Sequence, residues 1–307
     1  MKYSIVVPVY NEEGNVEELH KRIKQTMESL GEPYEIIFID DGSFDGTATK
    51  MKALSPLTVI TFRKNFGQTA AMDAGFKLAQ GEFIITLDGD LQNPPEEIPK
   101  LIAKQKEGFD VVSGWRKDRK DPFFKHLVSR GANRLRKVFI DEGIHDSGCT
   151  LKIYRKECFD NLNLHGEIHR FIPGVLKWQG FTIGEVAVEH APRKSGETKY
   201  TYARILKGFV DMIGVWFWRK YSSRPLHLFG GTGIIFTLLG SALLVALFIL
   251  RLFKIISLAD SIWPLVAIFL ILVGILLFVS GLLAEIMVKN FYTDGRTPYN
   301  IKKVTKN

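Results

Sequence analysis

Between Leu226 and Leu250, and again between Ser261 and Ala284, this chain carries no residue with a formal charge. The runs are about 25 and about 24 residues long, each enough to cross the hydrocarbon core of a bilayer as a helix. A soluble core helix of that length keeps a polar stripe, so both runs read as transmembrane helices, at about 226–250 and 261–286. The N-terminus enters a strand pattern at once, with no basic leader and no apolar h-region, which argues against a signal peptide.

Arg219, Lys220 and Arg224 precede the first run, and Lys289, Arg296, Lys302, Lys303 and Lys306 follow the second. Only Arg251 and Lys254 add positive charge to the connection, so the positive-inside bias places both termini in the cytoplasm and the Arg251 to Asp260 loop outside. The chain is thus expected to be a multi-pass protein of the inner or plasma membrane, with residues before Arg224 on the cytoplasmic face. Its formal charge of +8 serves attraction to anionic head groups, at about 1 kcal/mol per well-placed Lys or Arg. Nucleic acid is not an expected partner, because neither zinc-ligand spacing nor an aromatic-basic RNA signature occurs. From Tyr202 to Tyr221, Ile205, Leu206, Phe209, Met212, Ile213, Trp216 and Phe217 recur at helical spacing among Arg204, Lys207, Arg219 and Lys220, the pattern of an interfacial amphipathic helix. Cys149 and Cys158 face a reducing compartment and are expected to form no disulfide framework.

Before Arg224 the pattern alternates. Strands are expected at Tyr3–Val9, Tyr34–Ile39, Leu57–Phe62, Glu82–Leu87 and Asp110–Ser113. Helices are expected at Glu12–Leu30, where Val16, Leu19, Ile23, Met27 and Leu30 share a face behind an Asn11 N-cap, at Gly46–Leu54 capped by Asp45, at Thr69–Ala79, and at Pro95–Lys106. Such alternation builds an α/β domain with a mostly parallel sheet covered by helices on both faces.

In a parallel sheet the ligand site lies beyond the carboxyl ends of the strands. The first strand leads into Tyr10-Asn11-Glu12 with no G-x-G-x-x-G, and no P-loop occurs, which removes the usual dinucleotide and kinase readings. The second strand ends Asp40-Asp41-Gly42-Ser43, and the fourth ends Asp88-Gly89-Asp90. Asp-Gly-Asp alone also suits an ordinary turn. Four carboxylates gathered on one sheet edge, however, repel one another unless a cation and hydrogen-bond donors lie between them. Two hard oxygen ligands flanking Gly89, which leaves approach open, suit Mg²⁺ or Mn²⁺ carrying a nucleotide diphosphate.

Val-Pro-Val-Tyr-Asn-Glu at 7–12, Asp-Asp-Gly-Ser at 40–43 and Asp-Gly-Asp-Leu-Gln-Asn-Pro-Pro-Glu at 88–96 resemble glycosyltransferase family 2. Within it the chain is most similar to the polyprenyl-phosphate glycosyltransferases, the branch of dolichol-phosphate mannose synthase and the bacterial undecaprenyl-phosphate sugar transferases. The likeness extends over essentially the whole chain, terminal hairpin included. It implies a GT-A (Rossmann-like) fold, a nucleotide-sugar donor such as UDP-glucose or a related UDP-sugar, a polyprenyl-phosphate acceptor such as undecaprenyl phosphate, inversion at the anomeric carbon, and a homo-oligomer, a tetramer among relatives.

Carried over by the resemblance, Pro8, Tyr10, Glu12 and Asp40, with Asp41, correspond to the pocket for base and ribose, and Arg63 to a loop near the nucleotide. Packing at a strand end is the plain alternative for Pro8 and Tyr10, and a solvated surface charge for Arg63. Asp88, Asp90 and Gln92 correspond to the metal and diphosphate site. Arg116 and Arg130 correspond to arginines that grip the lipid phosphate, a task for which a permanently charged, bidentate guanidinium is suited; general attraction to the membrane is the alternative for Arg130. Asp146 corresponds to a carboxylate near the reaction centre, although Asp146-Ser147-Gly148 also makes a good turn. Since the acceptor phosphate is already anionic, Asp146 has the choice of orienting substrate rather than removing a proton. Arg193 and Lys199 match a loop that closes over the donor diphosphate, and a flexible linker is the alternative. The expected organisation is a catalytic domain at 1–198, the interfacial helix at 199–224, the hairpin at 225–288 and a basic tail at 289–307. A processive polysaccharide synthase shares the fold but characteristically carries Gln-x-x-Arg-Trp, absent here. A non-catalytic nucleotide-binding adaptor would not need the acidic strand tips.

Overall fold

The computed structural model describes residues 1–117, 143–160, 162, 164, 166, 168–191, 214, 216, 217, 220, 221, 224–255 and 261–293, the last three by backbone only. The chain divides into two compact units, Met1–Trp216 and Phe217–Asn307. The expected interfacial helix, the boundary at 198/199 and the basic tail fall largely or wholly outside the described residues.

The first unit alternates strand and helix through β1 (Tyr3–Val9), α1 (Val16–Leu30), β2 (Tyr34–Asp40), α2 (Thr47–Met51), β3 (Thr58–Thr61), α3 (Gln68–Leu78) and β4 (Phe83–Thr86). It continues with a 3₁₀ turn (Pro95–Glu97), α4 (Ile98–Gln105), β5 (Val111–Trp115), β6 (Lys152–Arg155), α5 (Ile172–Trp178) and β7 (Ile183–Ala187). The strands form one seven-stranded sheet in the order β3-β2-β1-β4-β6-β5-β7. β6 is antiparallel to both β4 and β5, and every other pairing is parallel. The mostly parallel expectation holds, with one reversed strand wedged between β4 and β5. Neither β6 nor β7 is among the strands expected from the sequence, since segments of four and five residues are too short for a clear alternation.

Successive side chains of a strand point to opposite faces. Ile5, Val7 and Val9 therefore pack with Ile36, Phe38 and Ile85 beneath Leu19, Ile23, Met27 and Leu101. Val6, Ile37, Ile39 and Ile84 face the other way, against Ala71, Met72, Phe76 and Leu176. With both faces covered, the central strands are apolar throughout, and each fully buried aliphatic or aromatic side chain contributes about 1.5–3 kcal/mol.

α1 starts at Val16, with Asn15 rather than Asn11 at its N-cap and no side-chain cap bond. Asn11 instead takes a left-handed conformation, φ 54°, and its Oδ1 accepts the Phe44 amide at 3.1 Å. The residues after β1 are thus spent on a turn that joins its end to the segment after β2. The second helix is likewise shorter than expected, with Gly46 rather than Asp45 at its N-cap; Asp45 stands one residue earlier, where its Oδ1 accepts the Thr47 amide at 3.0 Å.

In the second unit, α6 (Pro225–Leu252) and α7 (Trp263–Thr293) are long and apolar enough to cross a membrane, the most apolar 18-residue stretches of the candidate spans Pro225–Leu252 and Trp263–Asn290 having mean hydropathies of 2.6 and 3.0. Most of their surface is uncovered by protein, including Leu238, Phe248, Leu265, Phe269 and Leu276, which separates them from buried helices of a soluble core. They run antiparallel and meet through small residues. A Cβ on Gly233 would lie 2.6 Å from the Gly274 carbonyl oxygen, and one on Gly240 would lie 2.7 Å from that of Ala267. Without a hydrophobic drive between helices in lipid, such backbone approach supplies the packing. At the open end of the hairpin the Leu226 amide donates to Glu285 Oε2 at 3.3 Å, satisfying a helix-terminal N–H that lipid could not.

Candidate active site

The carboxyl ends of β1, β2, β4 and β5 share one edge of the sheet, and the predicted residues before position 117 lie along it or in the loops that leave it. Pro8, Tyr10 and Glu12 close β1, all half-buried. The Tyr10 ring meets the exposed Phe44 ring edge-on at 6.1 Å. Glu12 Oε2 accepts the Asn15 side-chain amide at 2.6 Å, and its own amide donates to Thr47 Oγ1.

At the end of β2 the adjacent aspartates have diverged. Asp40 is 1% exposed, with Oδ1 accepting the Ser43 amide at 2.9 Å, while Oδ2 is buried without a hydrogen-bond partner among the described residues. A buried acceptor in that condition is costly and fits a ligand donor. Asp41 turns the other way: Oδ1 accepts the Phe66 amide at 2.7 Å and Oδ2 the Gly67 amide at 2.9 Å. Burial raises its pKa, and those two bonds work against the rise. Both its oxygens are thereby committed to the 62–67 loop. Gly42, at φ 72°, lets this turn pass against the backbone of Lys64 and Asn65, where any side chain would collide. Arg63, on the same loop, is exposed.

After β4, the Asp88 carboxyl accepts Gln68 Nε2 at 2.8 Å and a side-chain bond from Thr150. Burial of the carboxyl group, followed by the charge of Asp90, pushes its pKa up to about 6. Asp90 Oδ1 accepts the Gln92 amide at 3.1 Å, closing the turn in which Leu91 sits at φ 61°. Gly89 corrects the sequence reading: its missing side chain points inward, where a Cβ would lie 2.9 Å from Val9 Cγ1 and 3.3 Å from the Pro8 carbonyl oxygen. It lets the acidic turn pack on the end of β1 rather than leaving room for a ligand.

Arg116 follows β5 and forms a bidentate pair with Asp146, Nε to Oδ2 at 2.6 Å and Nη2 to Oδ1 at 2.9 Å. Both side chains are mostly enclosed, 10% and 17% exposed. Burial would neutralise each, but the contact outweighs it, raising the arginine pKa and holding Asp146 below the ordinary carboxylate range. The Arg116 charge also acts on Asp88, so the ion pair and the acidic turn belong to one neighbourhood. Arg130, Arg193 and Lys199 lie outside the described residues.

Sequence reasoning missed the supports of this site. Gln68 opens α3, and nothing in its surroundings points to a carboxylate twenty positions on. Thr150 bridges Asp88 and Asn93, whose Nδ2 donates to Thr150 Oγ1 at 2.9 Å. Among the described residues no group of three or more His, Cys, Asp or Glu side chains converges as a ready-made metal cage.

Residues 4–162 match the Glycosyl transferase family 2 profile. The chain is 36% identical over 321 residues to a dodecaprenyl-phosphate galacturonate synthase of Rhizobium johnstonii, covering 99% of this chain and 93% of that protein. It is 36% identical over 311 residues to an undecaprenyl-phosphate 4-deoxy-4-formamido-L-arabinose transferase of an Enterobacter species, with the same coverages. Among solved structures, glucosyl-3-phosphoglycerate synthase of Mycobacterium tuberculosis in complex with Mg²⁺ and UDP superposes with a TM-score of 0.57 at 17% identity, over 71% of this chain and 79% of that one. The same enzyme with Mn²⁺ and UDP-glucose gives 0.55 at 18% identity, over 71% and 78%. These matches share the GT-A fold; with the full-length relatives and the family profile, they establish that this chain is a glycosyltransferase, a member of glycosyl transferase family 2.

Proposed function

We propose that the protein transfers a sugar from a nucleoside diphosphate donor, UDP-glucose or a related UDP-sugar, to a polyprenyl phosphate such as undecaprenyl phosphate, on the cytoplasmic face of the membrane. The observation that carries this reading is the end-to-end match to two relatives named for polyprenyl-phosphate sugar products, because it includes the apolar hairpin as well as the catalytic unit. The charge flanking the hairpin supports the orientation.

The buried, unpartnered Asp40 Oδ2 suits an N–H of the base, beside Pro8, Tyr10 and Glu12. Asp88 and Asp90 fit a hard divalent cation, Mg²⁺ or Mn²⁺, for two reasons. Burial, followed by the Asp90 charge, lifts Asp88 to about 6, a strain that a cation relieves, and a two-carboxylate set leaves positions for diphosphate oxygens. When bound, such a cation would neutralise charge on the departing diphosphate. Gln92 stands at the same turn as a further oxygen donor.

In the reaction a phosphate oxygen of the lipid forms a bond to the anomeric carbon as the bond from that carbon to the diphosphate breaks, and the diphosphate leaves with the electron pair. Attack from the opposite face inverts the centre. The nucleophile is an anion, so no proton has to be removed. Asp146, held ionised by Arg116, is a weak base and acts as an orienting group. Arg116 and Arg130 grip the acceptor phosphate, and Arg193 and Lys199 close on the donor diphosphate.

The test is a panel of radiolabelled nucleotide sugars, including glucose, galacturonate and 4-formamido-arabinose donors, incubated with membranes containing the protein and undecaprenyl phosphate. Label entering the organic phase with one donor is the expected result. Label accumulating in polymer with none on lipid would overturn the reading in favour of a processive synthase.

A further inference from the structure

Glu185 lies in the middle of β7, beyond the residues matched by the family profile, and its side chain is 13% exposed. One carboxylate there serves three donors of a single turn. Oε1 accepts the amides of His145 at 2.8 Å and Asp146 at 3.2 Å, and Oε2 meets His145 Nδ1 at 2.7 Å. The His145 ring is stacked on Trp115, the last residue of β5, with centroids 4.6 Å apart and planes 20° from parallel. The turn is gripped from its other end by Lys152 of β6, 3% exposed, whose Nζ donates to the carbonyls of Ser147 and Cys149. Between these two anchors, Asp146 presents its carboxylate to Arg116.

We propose that Glu185 is a positioning residue for the acceptor: it fixes the 145–149 turn, hence Asp146, hence the direction in which the Arg116 guanidinium faces. The inference rests on the reading of Arg116 as a phosphate grip. A free arginine side chain samples many rotamers, and a fork held at Nε and Nη2 loses that freedom before substrate arrives. The fork leaves Nη1 for an anion. Buried charges that hold backbone amides are costly to keep without a role in placing something, and what this one places is the partner of Arg116.

The experiment uses the full chain in nanodiscs with undecaprenyl phosphate and the donor found above. Glu185→Ala is expected to lower kcat/KM for the lipid phosphate about 30-fold while moving the donor KM less than about threefold. Glu185→Gln keeps an oxygen for the two amides and is expected to recover acceptor use to within about fivefold of the parent. Glu185→Asp, one methylene short but certain to keep the charge, is expected to show the same acceptor-selective loss at smaller size, and it stands in should the alanine variant fail to fold. Hydrogen exchange on the same proteins is expected to show lost protection at the His145 and Asp146 amides in Glu185→Ala. Equal losses toward donor and acceptor, or unchanged acceptor use, would overturn the inference. Should the parent protein label no lipid phosphate with any donor, the functional reading falls instead. Exchange then decides the inference: parent-like protection at 145 and 146 in Glu185→Ala overturns it, and lost protection upholds the positioning of the turn.

Discussion

Acidification should strip the divalent cation from this enzyme at a pH where ordinary carboxylates would still hold it. Asp88 is ionised only above about pH 6, because its burial and the neighbouring Asp90 charge favour the protonated form. The sign follows from competition: a metal binds the carboxylate and not the acid, so affinity is complete well above the pKa and is lost as pH falls through it. With that pKa, Asp88 is about nine-tenths ionised at pH 7 and about one-tenth at pH 5, a roughly tenfold loss of apparent affinity, worth about 1.4 kcal/mol. A carboxylate at its usual 3.8 would lose less than about a tenth of its affinity over the same interval. Mn²⁺ titration of the full chain in nanodiscs, followed by electron paramagnetic resonance with UDP-glucose present, measures this directly, since the diphosphate diester stays ionised throughout. Gln68→Ala sharpens the test. Its Nε2 bond at 2.8 Å favours the Asp88 carboxylate, so its removal should move the midpoint upward. Affinity that stays flat between pH 5 and 7, or a midpoint that moves down in Gln68→Ala, would refute the argument.

Three further outcomes are expected. Asp90→Asn should cut sugar transfer at least about 100-fold in a folded protein that still binds lipid phosphate, since it halves the charge offered to the cation; parental turnover would remove the metal assignment. Arg116→Ala should raise the KM for lipid phosphate about tenfold or more with little change for the donor, and should lower stability by about 3 kcal/mol, because Asp146 is left buried without its partner. Thermal unfolding in detergent separates the two effects. Gly240→Leu should lower the melting temperature of the hairpin by several degrees, as its side chain would meet Ala267 and Ile271, whereas Gly231→Leu, which faces open space, should not.

Much of the fold and the acidic part of the site could be read from the chain alone, because their causes are local. An uncharged run states its length and hence its fit to a bilayer, and α1 announces itself through Val16, Leu19, Ile23 and Met27 on one face. The aspartates after β2 and β4 are placed by a rule of parallel sheets that needs only the strand ends. Tertiary structure alone decided the reversed strand β6, whose few residues carry no periodicity long enough to register. It separated Asp40 from Asp41, adjacent in sequence, by giving the second two amides some 25 residues away. It showed that Gly89 serves packing, and it joined Arg116 to Asp146 and Asp146 to Glu185 across separations of 30 and 39 positions. Such pairings follow from which strands become neighbours, and no local pattern of residues encodes that choice.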